Sequence, residues 1–239
     1  MIVRRIVLVF SLVLCGSLAL AAAALAAGGG FGPGKSTFSS TAANATFGDP
    51  KGGSGPFVSV SVNQGFNSFK PMHPNGPRTV MFSTIVQYSE FDPSTGIGGF
   101  GCFVIPDAGF SVSKDLQTAS LSTTLTAAES CPGFATPVTA DNPTKFAGGG
   151  GGGGGLNLPI TVNLQWTGDG VVSIYQDRNS FQCLRYSQDG TSTFRDSTGS
   201  AMGTVSSLAG PLTTDLADVS SSEGTFDISG TPQPPCFGY

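Results

Sequence analysis

Ile160, Val162, Leu164 and Trp166 alternate without a break with Thr161, Asn163, Gln165 and Thr167. Successive side chains of a β-strand point to opposite faces, so this run has one buried and one wet face. Val58, Val60 and Val62 repeat the pattern against Ser59, Ser61 and Asn63, and Ala119, Leu121, Thr123 and Leu125 repeat it again. No segment sustains a 3.6-residue apolar period. The nearest to a helix is Pro211–Ser220, where Thr213 and Asp215 are placed to cap it. Turn chemistry punctuates the chain at Pro74–Pro77, Asp92–Gly96, Gly168–Asp169–Gly170 and Gln188–Asp189–Gly190. Between these lie strand candidates at Thr79–Phe91 and Ile97–Ile105, expected as a hairpin buried on both faces. Val171–Gln176, Phe181–Tyr186, Thr191–Arg195, Ala201–Ser207 and Thr225–Ile228 complete the set. Many short strands without helices predict an all-β chain, an antiparallel β-sandwich or barrel.

The first residues read as an address. Arg4 and Arg5 precede an apolar run from Ile6 to Leu14, and Ala24-Leu25-Ala26 has the small-x-small form of a cleavage site. Residues 1–26 are expected to be a secretory signal peptide, which makes the protein secreted or placed in the cell envelope. No later apolar run approaches the ~20 residues of a spanning helix, so no membrane span is expected after cleavage. Residues 27–55 are rich in Gly, Ser, Thr and Ala and read as a flexible leader with a strand near Thr37–Phe47. Asn44-Ala45-Thr46 within it matches a glycosylation sequon.

Residues 56–239 are expected to form a single β domain. It is interrupted at 147–156 by a glycine-rich loop in which Gly148 to Gly155 are consecutive. The strands on either side, Ala119–Leu125 and Ile160–Trp166, share one pattern and look like hairpin partners, so the glycines enlarge a hairpin loop. Added loop length costs little, roughly 0.6 kcal/mol per doubling, and needs no function to be tolerated. A phosphate-cradling reading fails because Leu156-Asn157-Leu158-Pro159 opens a strand rather than a helix.

Formal net charge is −4, and charged residues make up only 11% of the chain. With no basic cluster there is no electrostatic hold on nucleic acid, leaving a protein or a glycan as the partner. Beyond the signal peptide the cysteines are Cys102, Cys131, Cys183 and Cys236. An even number in an exported chain predicts two disulfides. Of the three pairings, Cys102–Cys131 with Cys183–Cys236 joins neighbouring segments. No CxxC pair exists, and His73 is the single histidine, which argues against zinc.

Few residues suggest chemistry. His73 sits in a turn, and no GxSxG elbow is present. Glu90 and Asp92, two apart on a strand end, would share a face and are the candidate carboxylates for a hydrolase. No metal site or resident cofactor is expected, with calcium at the turn residues Asp169, Asp177, Asp189 and Asp196 the remaining option. Tyr88, Tyr175 and Tyr186 are the aromatics for a sugar platform, since Trp166 shares the apolar face of its strand and belongs to the core.

Two stretches carry a resemblance. They are Leu164-Gln-Trp-Thr-Gly-Asp-Gly170 and Thr193-Phe-Arg-Asp-Ser-Thr-Gly-Ser-Ala-Met-Gly-Thr204. Across Val58 to Val205 the chain resembles a group of exported bacterial proteins without an assigned activity. These share a Trp-Thr-Gly-x-Gly hairpin and a Gly-Thr-x-Arg-Asp-Ala-Thr-Ala-Ser-Gly-like strand. Ser197 and Gly199 depart from that pattern. The resemblance implies export and an all-β fold, with Arg195 and Asp196 as a matching charged pair that pins a strand end. The expectation is a secreted, non-catalytic binding or envelope protein. A carbohydrate-binding module and a carboxylate-dependent hydrolase are the alternatives.

Overall fold

The computed structural model describes residues 33–48, 56–72, 79–92, 97–126 and 156–230. The signal segment, the glycine run, His73, Cys131 and Cys236 lie outside the described residues. The strands are β1 (Gly34–Phe47), β2 (Phe57–Pro71), β3 (Thr79–Asp92), β4 (Ile97–Ile105), β5 (Phe110–Val112) and β6 (Thr118–Leu125), followed by β7 (Ile160–Gly168), β8 (Ser173–Cys183), β9 (Tyr186–Val205) and β10 (Leu212–Ser229). They form one antiparallel sheet in the order β4-β3-β2-β1-β10-β9-β7-β6-β5, with β8 also paired to β9. The all-β, antiparallel expectation holds, but β4 and β5 end the path unpaired with each other, so the sheet is not closed into a barrel: it is one open sheet curled over its own core.

The core follows the alternating pattern. Val58, Val60 and Val62 are fully buried, as are Ile160 and Val162, and Leu164 and Trp166 join them. One cluster gathers these with Ala43, Ala45, Phe47, Tyr88, Phe103, Ile105, Leu121, Leu125 and Val219. The two ends of the curled sheet therefore bury the same face against each other. β6 and β7 pair as expected, Leu121 opposite Leu164 and Leu125 opposite Ile160, so the chain carrying the glycine run connects two paired strands. β3 and β4 also pair as expected, and their burial on two faces holds in part. Val86, Tyr88, Phe103 and Ile105 are buried on one face and Ile85 and Cys102 on the other, where Phe91, Phe100 and Val104 are exposed.

Four other expectations are corrected. First, the strand expected near Thr37–Phe47 is present, but as a central strand of the sheet rather than part of a flexible leader. Residues 34–47 form β1, a central strand paired along its length with β2 and β10. Its alanines and serines hide that role because close neighbours, not large side chains, fill the space. Second, the helix-like stretch Pro211–Ser220 lies mostly in β10. Third, Gln188–Asp189–Gly190 is not a turn but lies within the twenty-residue β9. The true β8–β9 reversal is Leu184-Arg185, closed by the pair Cys183–Tyr186, with Leu184 at φ 55°. Two-residue hairpins demand positive φ, and a leucine there gives no warning in sequence. Fourth, Gly168–Asp169–Gly170 does not reverse the chain. Gly168 pairs with Gly199 and Ser173 with Asp196, so β7 and β8 run in line along β9, interrupted by a bulge in which Gly170 takes φ 88°.

The long strands change their buried face midway. In β10, Ala217 and Val219 are buried, then Ser222, Phe226 and Ile228. In β1, Ala43, Ala45 and Phe47 face the core, whereas Ser36 is buried on the opposite face. At that far end Phe38 stacks on Phe226 at 5.7 Å, and Tyr186, Phe226 and Ile228 form a second small cluster. Glycines make room there. A Cβ on Gly224 would meet the Phe38 ring at 2.4 Å, and one on Gly190 the Phe226 ring at 2.2 Å. Among the described residues no helix is long and apolar enough to cross a membrane.

Candidate functional site

Where the buried face changes, a polar seam crosses the sheet. Asn44 on β1 lies opposite Ser61 on β2 and Asp218 on β10. Ser61 Oγ donates to Asn44 Oδ1 at 2.5 Å, and Asn44 Nδ2 donates to Asp218 Oδ2 at 2.9 Å. Asp218 pairs with Thr198 on β9, whose Oγ1 donates to Asp169 Oδ2 at 2.7 Å. The other Asp169 oxygen accepts from the Val171 amide at 2.8 Å, which shapes the β7–β8 bulge. Desolvation, partly offset by the Asn44 bond and reinforced by the charge of Asp196, pushes the Asp218 carboxyl up to about 6. Burial and then the charge of Asp169 raise Asp196. The bonds from Val171 and Thr198 lower Asp169. Opposed shifts in one place are the mark of a worked site. Here, however, the bonding groups tie four strands and a bulge together. Asn44 is held in this seam within a central strand, so the sequon serves structure.

The expected site residues are dispersed. Glu90 and Asp92 share a face of β3, as their spacing requires, but Glu90 Oε2 accepts from the buried Tyr88 hydroxyl at 2.6 Å. That hydroxyl also bonds Ser207 Oγ at 2.8 Å. Burial, followed by Glu90, raises the Tyr88 phenol. Asp92 is likewise engaged. Arg195 and Asp196 are not a pair. As consecutive strand residues they point to opposite faces, and Arg195 Nη1 donates to the Lys114 carbonyl at 3.1 Å. Tyr88 and Tyr186 are buried and Tyr175 alone is exposed, so the three tyrosines form no platform. Asp169, Asp177, Asp189 and Asp196 do not converge. Among the described residues no three metal-binding side chains gather. Cys102 is buried on β4 and Cys183 ends β8. No disulfide joins two described residues, and Cys102 and Cys183 are both engaged.

The exposed apolar side chains tell more. Val171, Ile174, Tyr175 and Leu184 are 60–66% exposed, all within β8 and its two flanking turns. Tyr175 leans on Phe194 of β9, with ring centroids 6.1 Å apart. Among the described residues no strand covers the outer edge of β8. A long strand edge carrying exposed apolar groups is a template for association. Sequence reasoning placed strands here but missed the edge, because edge position is a property of topology. Asp218 was missed because it sits in the stretch read as helix-like; its neighbours Ala217 and Val219 alternate with polar residues and hold the strand signal.

No family profile matches the chain, and no curated protein matches it. Among solved structures it is similar to a protein from Nitrosomonas europaea described as AttH. The identity is 10% over 84% of this chain and 53% of that one, with a TM-score of 0.34. It is also similar to an acetoacetate decarboxylase-like enzyme from Sphingomonas wittichii RW1, at 13% identity over 83% of this chain and 91% of that one, with a TM-score of 0.23. The chain thus spans about half the length of the first. Likeness at this level carries no functional argument.

Proposed function

We propose that this is a secreted or envelope-located binding protein that works without catalysis, and that the β8–β9 hairpin is its recognition surface. The observation that carries the reading is the outer edge of β8, uncovered among the described residues, with Val171, Ile174, Tyr175 and Leu184 exposed along it. An uncovered strand edge is a template for pairing with another chain. The dispersed tyrosines favour a protein partner over a glycan, and the engagement of Glu90 by Tyr88 weighs against the hydrolase reading. The test is retention of solubilised envelope proteins on the immobilised mature protein and on its Ile174→Lys/Leu184→Lys variant. Loss of retention by the variant, with an unchanged melting temperature, is expected. Equal retention by both, or a melting shift with a polysaccharide, overturns the reading.

The disulfide pairing Cys102–Cys131 and Cys183–Cys236 belongs to the same proposal. Gly230 lies against the Arg185 carbonyl, where a Cβ would come within 1.9 Å. The chain therefore leaves β10 beside Cys183. Cys236, six residues on, reaches at most ~20 Å from there. Cys102 lies in the row of Gln87, Ser61, Asn44 and Asp218, roughly 40 Å of strand from Gly230. Disulfide Cα atoms must come within ~7 Å, so that distance is too long. Peptide mapping without reduction is expected to recover the two local bridges; a Cys102–Cys236 or Cys102–Cys183 link contradicts the pairing.

A further inference from the structure

The register of β8 tells which of its backbone groups are spent and which are offered. Its hairpin with β9 is closed by Cys183 opposite Tyr186 across two residues. In such a hairpin the closing pair exchanges both backbone bonds, and bonded and non-bonded pairs then alternate. Residues 173, 175, 177, 179, 181 and 183 thus spend their N–H and C=O groups on β9. Ile174, Gln176, Arg178, Ser180 and Gln182 direct theirs outward, and all five residues are exposed.

We infer that β8 takes up a strand from another protein by edge addition, and that this strand carries an acidic residue opposite Arg178 and an apolar residue opposite Ile174. The inference rests on the binding reading above and names its mode. A second copy of this chain is the obvious rival occupant, and the charges disfavour it. Two β8 strands related by a two-fold axis pair over their full length only when centred on Arg178, which sets two guanidinium groups face to face. Like charges directly opposite one another are destabilising. Centring on Gln176 or Ser180 removes that clash but leaves a shorter overlap. Arg178 and Asp177, on opposite faces at mid-strand, are therefore gatekeepers against self-pairing. They are also selectors of a partner with the complementary order of charges. Apolar anchors sit to either side of them, at Ile174 and Tyr175 and at Leu184 on the hairpin tip.

The test uses two synthetic strand-forming peptides against the mature protein. One places Glu opposite Arg178 and Lys opposite Asp177; the other exchanges the two. Fluorescence anisotropy is expected to show at least about tenfold tighter binding of the first, since opposed charge pairs on adjacent strands each contribute a few tenths to 1 kcal/mol relative to neutral ones and cost similar amounts when reversed. An Asp177→Lys/Arg178→Glu variant is expected to reverse the preference. Sedimentation is expected to show a monomer. Equal affinity for both peptides, or binding of neither at millimolar concentration, overturns strand addition; a stable dimer that Arg178→Glu abolishes makes the occupant a second copy. If strand addition fails while Ile174→Lys/Leu184→Lys still loses envelope proteins, the binding reading stands without this mode. If both fail, both fall.

Discussion

Asp218 sets a testable dependence on pH. Its folded value of about 6 lies above the ordinary 3.8. Between those values the folded chain holds a proton that the unfolded chain has released. Stability from this group is therefore highest below about 3.8, falls as pH rises to about 6, and is flat above that. The ionised form costs no more than about 3 kcal/mol. Asp218→Asn should flatten the decline between pH 4 and 6 and raise the melting temperature at pH 7.5 by several degrees, read by calorimetry; an unchanged profile would show that the carboxyl is not held this way. Ser197 gives a second case. Its Oγ is buried without a hydrogen-bond partner among the described residues. Ser197→Ala should stabilise by about 1 kcal/mol, because an unsatisfied hydroxyl is removed. Trp166 is the opposite: its Nε1 donates to the Asn44 carbonyl at 2.8 Å, linking β7 to β1 across the core. Trp166→Phe should lose about 1 kcal/mol in a denaturant titration and Trp166→Ala about 3–5.

Among the strands, β1 matters most. It lies between β2 and β10, and each loses one of its two partner strands without it. A chain beginning at Pro56 should show no cooperative thermal transition; a sharp transition would mean that the leader reading was right after all. The far halves of β1, β9 and β10 depend on rings laid over glycines. At Gly190 an added Cβ meets the backbone carbonyl of Thr225 at 2.4 Å as well as the Phe226 ring. Gly190→Ala should cost about 1–3 kcal/mol through forced displacement.

For the molecule as a whole, the alternating runs carried the fold class and the β6–β7 and β3–β4 pairings, because a period of two has one structural meaning. What they could not carry was which face is buried when a strand is long enough to change its mind. In β10 the apolar residues shift from odd to even positions between Val219 and Phe226, and a fixed period reads that shift as noise or as helix. Turns were legible only where glycine marked them, and even there the Gly168–Gly170 bulge mimicked a reversal. The candidate carboxylates Glu90 and Asp92 were visible as a pair, and Tyr88 shares their face by the same spacing of two, whereas Asp218 stayed hidden because its partner Asn44 lies far away in the chain. The edge of β8 emerged only from strand order. Amide hydrogen exchange of the mature protein, with and without solubilised envelope proteins, follows each residue of that edge. The structure predicts fast exchange at Ile174, Gln176, Arg178, Ser180 and Gln182 alone, and slowing at those residues when the proteins are added. Slowing confined to other strands, or none at all, would contradict recognition through β8.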